Sequence, residues 1–277
     1  MNNSKNKPWL IIVLVFVFAC VFLCMLTIIG ILLFNNIALR SVTDNASLQP
    51  TVDQTPVSAP VSSTTDIKIT PQSLTDSGTS YTIDVTYPKA SSSNQSLADF
   101  VNTSIMTFVN SEITSIKDPT GYVPGTSKFS LTMEYTVEYK SSNLLSILIT
   151  GDFFSGGAHG APIVKTFNFD LNTQKELGLN DVFNSTTGYL NNLSSICRID
   201  LMNMMGSDGD ATSVNAGTTA VADNFKNWNF SDGGMMFTFD AYQVGPYAIG
   251  TPSITVQYSK LYSMMQNNIS TYLQTVL

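Results

Sequence analysis

The chain has 277 residues, of which 43% are hydrophobic and only 12% are charged, and its net charge at pH 7 is −7. This acidic balance argues against binding to nucleic acid and against docking on an anionic surface. The length suits one large or two small domains.

The first element in chain order is an uncharged apolar segment at residues 10–34. As a helix it would be about 37 Å long, enough to cross a hydrocarbon core of about 30 Å. It exceeds the apolar region of about 7–15 residues in a cleaved signal peptide. Lys5 and Lys7 precede it, which favours a short cytoplasmic tail at residues 1–9. We therefore predict a single-pass cell-membrane protein that contacts the lipid bilayer through residues 10–34, with its C-terminal domain outside.

An alternative is lipidation at Cys20, two residues after Phe18. The bulky Phe18 and the apolar residues beyond the cysteine fit a lipobox poorly, so a spanning helix is the preferred interpretation. Cys20 and Cys24 then lie within the span, and Cys197 is the only cysteine beyond it. No intramolecular disulfide is therefore expected outside, and Cys197 is interpreted as a packed residue rather than a reactive thiol.

Residues 35–65 are predicted to be a disordered stalk. Within them, residues 45–65 are rich in Ser, Thr, Pro and Val and show no apolar periodicity, which is typical of an extended linker. Beyond Arg40 the chain has 10 basic and 20 acidic residues, a net charge of −10. This charge permits a cationic partner.

Residues 66–160 are predicted to form an N-terminal α+β sub-domain. Alternation of apolar and polar residues predicts its strands, at 81–87, 129–139 and 144–150. The last two should form an antiparallel hairpin. Apolar residues at helical spacing predict a helix at 96–117, begun by a capping box of Ser96 and Asp99.

Residues 161–277 are predicted to form a C-terminal α+β sub-domain. Its predicted strands are 163–170, 228–230, 234–240 and 253–258, and its predicted helices are 189–205 and 261–276. Asp208 and Asp210 lack the further oxygen ligands of a calcium loop, so a solvated turn is expected there. The whole folded region is predicted to be α+β, with mostly antiparallel sheets packed against amphipathic helices and preceded by one transmembrane helix.

Between the two halves lies the segment SGGAHG at 155–160, which contains the only histidine of the chain, His159. Its glycines are predicted to give a tight hinge between the sub-domains, a structural motif of Gly156, Gly157 and Gly160. Catalysis by His159 would need a nucleophile or metal companions, and neither pattern is present. We expect no catalytic residue, no metal ligand and no cofactor. His159 is interpreted as a residue that locks this connection, and a partner contact by His159 and Ser155 is the alternative.

A second candidate contact is the segment of Tyr242, Pro246 and Tyr247. Exposed aromatic residues beside a rigid proline are suitable anchors for a binding partner. The alternative is that both tyrosines pack over the hairpin, and the sequence leaves the two open.

The order of these segments carries a family resemblance. The long hairpin, the glycine-histidine motif and the Tyr242–Tyr247 segment, followed by Gly250, resemble the paired extracytoplasmic domains of RsiV-type anti-sigma factors and PdaC-type peptidoglycan deacetylases. Those are the domains of unknown function 4163 and 3298, corresponding here to residues 66–160 and 161–277. In RsiV this region binds lysozyme, so the resemblance implies an envelope receptor.

The chain also departs from these families. The nine residues before the predicted span are too few for a sigma-binding domain, and the metal-binding deacetylase domain is not recognisable. We therefore predict a membrane-anchored extracytoplasmic binding module that is not an enzyme, with a lysozyme-like protein or peptidoglycan glycan as partner. The alternative is a cell-envelope hydrolase, or an accessory domain acting on peptidoglycan.

Overall fold

The computed structural model describes residues 66–118 and 120–274. The predicted tail, spanning helix and stalk, at 1–9, 10–34 and 35–65, lie outside these residues. Among the helices that the structure describes, none combines the length and apolar character needed to cross a bilayer.

The first half is built on a six-stranded sheet whose spatial order follows the chain. Its strands are β1 Ile67–Ser77, β2 Tyr81–Ser92, β3 Phe129–Lys140, β4 Leu144–Phe154, β5 Ala161–Asp170 and β6 Lys175–Glu176. Neighbouring strands are antiparallel except β2 and β3, which run parallel. Helix α1, Gln95–Lys117, forms the crossover between them, as parallel strands require.

Helix α1 covers one face of this sheet. The side chains of Val101, Ile105 and Val109 are fully buried at helical spacing and pack in one core with the sheet. Asn94 caps the helix by accepting a hydrogen bond from the Leu97 amide at 3.3 Å. The predicted capping box of Ser96 and Asp99 is therefore wrong: because the helix begins at Gln95, both residues fall inside its first turn.

The second half contains a smaller antiparallel sheet in the order β7-β8-β9. Its strands are β7 Trp228–Ser231, β8 Gly234–Thr238 and β9 Ser253–Gln257. The helices here are α2 Leu179–Val182, α3 Tyr189–Met205, α4 Ala211–Gly217 and α5 Asn267–Gln274. Helix α3 has the predicted bounds and buries Leu193, Cys197 and Leu201 in a second core. The described residues thus confirm an α+β fold with mostly antiparallel sheets and packed helices.

The predicted C-terminal helix at 261–276 is shorter in the structure. Met265 is extended, with ψ 155°, and forms an isolated antiparallel bridge with Phe183. The next amide, that of Gln266, donates to the Val182 carbonyl at 2.8 Å. Because these backbone groups bond outside the helix, α5 begins only at Asn267.

A buried polar network joins the two sheets. The Ser146 hydroxyl on β4 accepts from the Asn229 side chain at 2.9 Å and from the Phe230 amide at 3.0 Å, and donates to the Asn168 side chain. The Asn168 amide group in turn donates to the Trp228 carbonyl at 2.7 Å. Strand β7 is therefore held against β4 and β5.

The first sheet and its core extend past the predicted sub-domain boundary at 160/161. Strand β5 pairs with β4 from Ala161 to Asp170, and the first core includes Phe167, Phe169 and Leu171. Residues 161–171 belong to the first sheet because β5 is the return strand of a hairpin with β4.

Candidate functional site

The glycine-histidine segment is the loop of the β4–β5 hairpin, rather than a hinge between separate sheets. Gly156 and Gly157 have φ values of 98° and 102°, which only glycine adopts readily. A Cβ atom on Gly160 would collide with the carboxylate of Asp152. The glycines therefore allow a tight reversal that leaves His159 exposed at its tip.

Both ring nitrogens of His159 are engaged. Its Nδ1 lies 2.8 Å from the Gly160 carbonyl oxygen, and its Nε2 lies 3.3 Å from the Tyr242 hydroxyl. Because a carbonyl only accepts, Nδ1 carries the proton, and in the neutral ring Nε2 accepts from Tyr242. This arrangement fixes both the tautomer and the orientation of the imidazole.

The imidazole is also part of a cluster of three rings, His159, Tyr242 and Tyr247, called here the aromatic cluster. His159 stacks on Tyr247 with ring centroids 4.0 Å apart and an interplanar angle of 23°. The centroids of the two tyrosines are 5.5 Å apart. The Tyr247 hydroxyl donates to the Gly160 carbonyl at 3.2 Å, so the second half of the chain holds the hairpin loop.

The loop that carries Tyr242 is anchored by hydrogen bonds to backbone carbonyls earlier in the chain. Gln243 donates through its side chain to the carbonyls of Gly217 and Asn224, both at 2.9 Å, and Val244 is buried. Tyr242 itself is 61% exposed and has φ 67°, a left-handed conformation that costs a non-glycine residue about 1–2 kcal/mol. The loop thus holds a large aromatic side chain in solvent at an energetic cost, which marks the position as a functional candidate.

A cavity of about 350 Å³ lies beside the aromatic cluster. Four of the five residues predicted to contact a partner line it: Ser155, His159, Tyr242 and Tyr247. Pro246 does not line it; it is exposed and precedes a short 3-10 turn at Tyr247–Ile249. The cavity size falls within the range of about 300–1,000 Å³ that is usual for small-molecule sites.

Sequence reasoning missed Phe153 and Asp240, which also line this cavity, together with Ala161, Pro162 and Ala241. Phe153 was missed because β4 was predicted to end at Thr150, although Phe153 and Phe154 continue it. Asp240 is paired with Lys226 at 2.7 Å and also accepts from the Asn227 side chain. Within 66–118 and 120–274, no group of three or more His, Cys, Asp or Glu residues is placed to hold a metal ion.

Two segments of the chain match described families. Residues 75–161 match the family Deacetylase PdaC, and residues 180–259 match the family Protein of unknown function (DUF3298). The chain combines segments similar to both. It is also 28% identical, over 141 residues, to the peptidoglycan-N-acetylmuramic acid deacetylase PdaC of Bacillus subtilis strain 168. That match covers 51% of this chain but only 30% of the relative.

Two solved structures show the same fold. One is a DUF3298 family member from Bacteroides fragilis, with TM-score 0.53 and 19% identity, covering 76% of this chain and 98% of that protein. The other is a DUF3298 family protein from Pseudomonas aeruginosa, with TM-score 0.52 and 16% identity, covering 74% and 96% of the respective chains. At these identities the likeness concerns the fold alone.

Proposed function

We propose that this protein is a membrane-anchored, extracytoplasmic binding module whose aromatic cluster contacts the glycan of peptidoglycan and which carries out no reaction on it. The observation that carries the proposal is the oriented cluster of the exposed His159 and Tyr242 and the half-buried Tyr247 beside its cavity. The anchor is the apolar segment at residues 10–34.

The aromatic cluster suits a ligand with both apolar and polar surfaces. Tyrosine combines a large apolar ring with a hydroxyl that forms hydrogen bonds, and sugars present C–H faces and hydroxyl groups together. The rings of His159 and Tyr247 are held in place by hydrogen bonds to Gly160. Such preorganisation lowers the entropy lost on binding.

The bonding of His159 favours contact over proton transfer. Nδ1 and Nε2 are occupied by Gly160 and Tyr242, whereas a general base needs a nitrogen directed at a nucleophile. Ser155 lines the same cavity, but within the described residues no hydrogen bond joins it to His159. The matched relative is named for action on peptidoglycan, which supports the same class of ligand here.

A second candidate partner is a cationic, lysozyme-like protein. The first sheet has an outer cavity of about 330 Å³ lined by residues that include Asp84 and Glu134. Together with the net charge of −10 beyond Arg40, these carboxylates would attract a basic protein. The resemblance to RsiV-type receptors adds support for this candidate.

Co-sedimentation of the full chain with purified peptidoglycan separates these possibilities. The proposal predicts that the protein sediments with peptidoglycan and leaves its chemical composition unchanged. Binding to lysozyme alone, weakened by D84N and E134Q, would support the second candidate instead. Release of acetate or glycan fragments, abolished by H159A, would establish the alternative of an envelope hydrolase and overturn the proposal.

A further inference from the structure

A cavity of about 610 Å³ lies beside β5 and shares no lining residue with the cavity beside the aromatic cluster. Its walls are β5, the turn around Gly178 and the segment that leads into β7. We propose that an extended peptide segment with cationic side chains binds in this cavity as an additional strand along β5. This inference is independent of the proposed glycan contact.

The register of β5 shows which backbone groups face the cavity. The Leu177 amide donates to the Asn168 carbonyl at 2.7 Å, so the backbone groups of Asn168 point away from β4. The backbone N–H and C=O groups of successive residues point alternately to the two sides of a strand. Thr166 and Val164 lie two and four residues before Asn168, so their backbone groups also point away from β4. Both residues line the cavity, while β6 pairs only with Phe169 and Asp170.

Pro162 supports this register. Pro162 lies two residues before Val164, so its backbone points in the same direction, away from β4. The amide N–H that proline lacks would therefore have faced the open edge of β5. The β4–β5 ladder therefore loses no bond, although Pro162 lies opposite Asp152 within it. The edge of β5 from 162 to 166 has no backbone partner among the described residues, and such an edge accepts a further strand.

Two side chains in the cavity also lack partners. Thr166 and Trp228 line it and are only 8% and 3% exposed. The Thr166 hydroxyl and the Trp228 indole N–H make no hydrogen bond within the described part of the chain. Neither of these polar atoms is among the buried side-chain atoms that lack a partner, so both are accessible to solvent and can form hydrogen bonds with a peptide that enters the cavity. Trp228 and Tyr189 are too buried to offer an open ring face to a sugar.

The charges around the cavity favour a cationic peptide. Lys226 is already paired with Asp240 at 2.7 Å. Lys165 lies 4.9 Å above the ring of Phe167. The exposed carboxylates of Glu176 and Asp223 also line the cavity, and neither has an ion-pair partner among the described residues. They are placed to attract lysine or arginine side chains of the bound strand.

The test is calorimetric titration of the full 277-residue protein with the probe acetyl-Val-Lys-Val-Lys-Val-amide. The control peptide has the same sequence with glutamate in place of each lysine. The key variant is T166P, which removes one amide N–H that faces the cavity and leaves the β4–β5 ladder intact. T166A, which keeps that N–H, is the control variant, and thermal unfolding checks that both fold.

We expect the lysine peptide to bind more tightly than the glutamate peptide, with a difference that shrinks at high salt. T166P should raise the dissociation constant at least about tenfold, and T166A by less. If T166P fails to fold, the double variant E176Q/D223N provides the test, since it should remove the preference for lysine.

The proposal is overturned if the lysine peptide gives no heat at about 1 mM or if the variants bind like the wild type. It is also overturned if T166P instead abolishes a dimer of this chain, because a second copy would then occupy the edge.

Discussion

His159 stacks on Tyr247 at a centroid distance of 4.0 Å, and this contact ties the β4–β5 hairpin loop to the loop between β8 and β9. His159 lies in a loop that joins two strands of the first sheet, and Tyr247 lies in a loop that joins two strands of the second. Because both are held by the same carbonyl, that of Gly160, the geometry of the aromatic cluster depends on how the two sheets pack.

Replacing Tyr242 with glycine should weaken binding to peptidoglycan while changing the stability of the protein little. The change relieves the strain of φ 67° but removes the ring contact, so the free energy of unfolding should change by less than about 1 kcal/mol. Peptidoglycan binding should fall at least about tenfold, because an exposed aromatic anchor is lost. Denaturant unfolding and co-sedimentation measure the two effects. Unchanged binding by Y242G would show that Tyr242 does not contact the ligand.

Ser146 is predicted to be a main polar link between the sheets. S146A should lower the free energy of unfolding by about 1–3 kcal/mol, because the Phe230 amide and the Asn229 side chain lose a buried acceptor. Urea unfolding gives the value. The matched control is S73A, since Ser73 bonds Thr86 at the exposed surface and should matter by less than about 0.5 kcal/mol. Equal effects of S146A and S73A would contradict this role.

The strongly periodic elements could be predicted from the sequence. Helix α3 has the predicted bounds, 189–205, because its apolar residues recur at helical spacing. Strand β1 was missed since it lies at the edge of the sheet, where Pro71 is tolerated and small polar residues alternate with few apolar ones. Strand β2 continues through Pro88 because its pairing with β3 stops at Val85, so no hydrogen bond to β3 is lost.

The site could be predicted only in part. Ser155, His159, Tyr242 and Tyr247 were identified by residue type and by the glycines and proline beside them. That they line one cavity depends on long-range packing, fixed by groups such as Ser146 that have no local signature. Of the two tyrosines, Tyr247 stacks on the hairpin loop, while Tyr242 is largely exposed; a partner contact by either one stays a prediction.

Cys197 is predicted to be unreactive in the folded protein. Burial in the second core, with a smaller contribution from Asp200, raises the pKa of its thiol to about 12, so almost no thiolate exists at pH 8. In a variant with Cys20 and Cys24 changed to serine, a thiol reagent should label Cys197 only after denaturation. Rapid labelling of the native protein would contradict the packing of α3.

Asp210 is predicted to stabilise α4 in a pH-dependent way. The Ser213 hydroxyl and the amides of Ser213 and Thr212 donate to its carboxylate, which holds its pKa below the ordinary 3.8. A lowered pKa in the folded state gives stability that is present above pH 3.8 and is lost as the pH falls through the folded-state value. D210N, which keeps a capping oxygen, should melt below the wild type at pH 7 and approach it in acid. If the melting temperatures of D210N and the wild type change in parallel with pH across this range, the role assigned to Asp210 is contradicted.

The most direct test of the proposed function is the affinity of the double variant Y242A/Y247A for purified peptidoglycan. Y242F is the matched control, since it keeps the ring and loses only the hydroxyl that bonds His159. The proposed glycan contact predicts at least about a tenfold loss for the double variant and a smaller loss for Y242F, with both proteins folded. Wild-type affinity in the double variant would contradict a role for the aromatic cluster in binding.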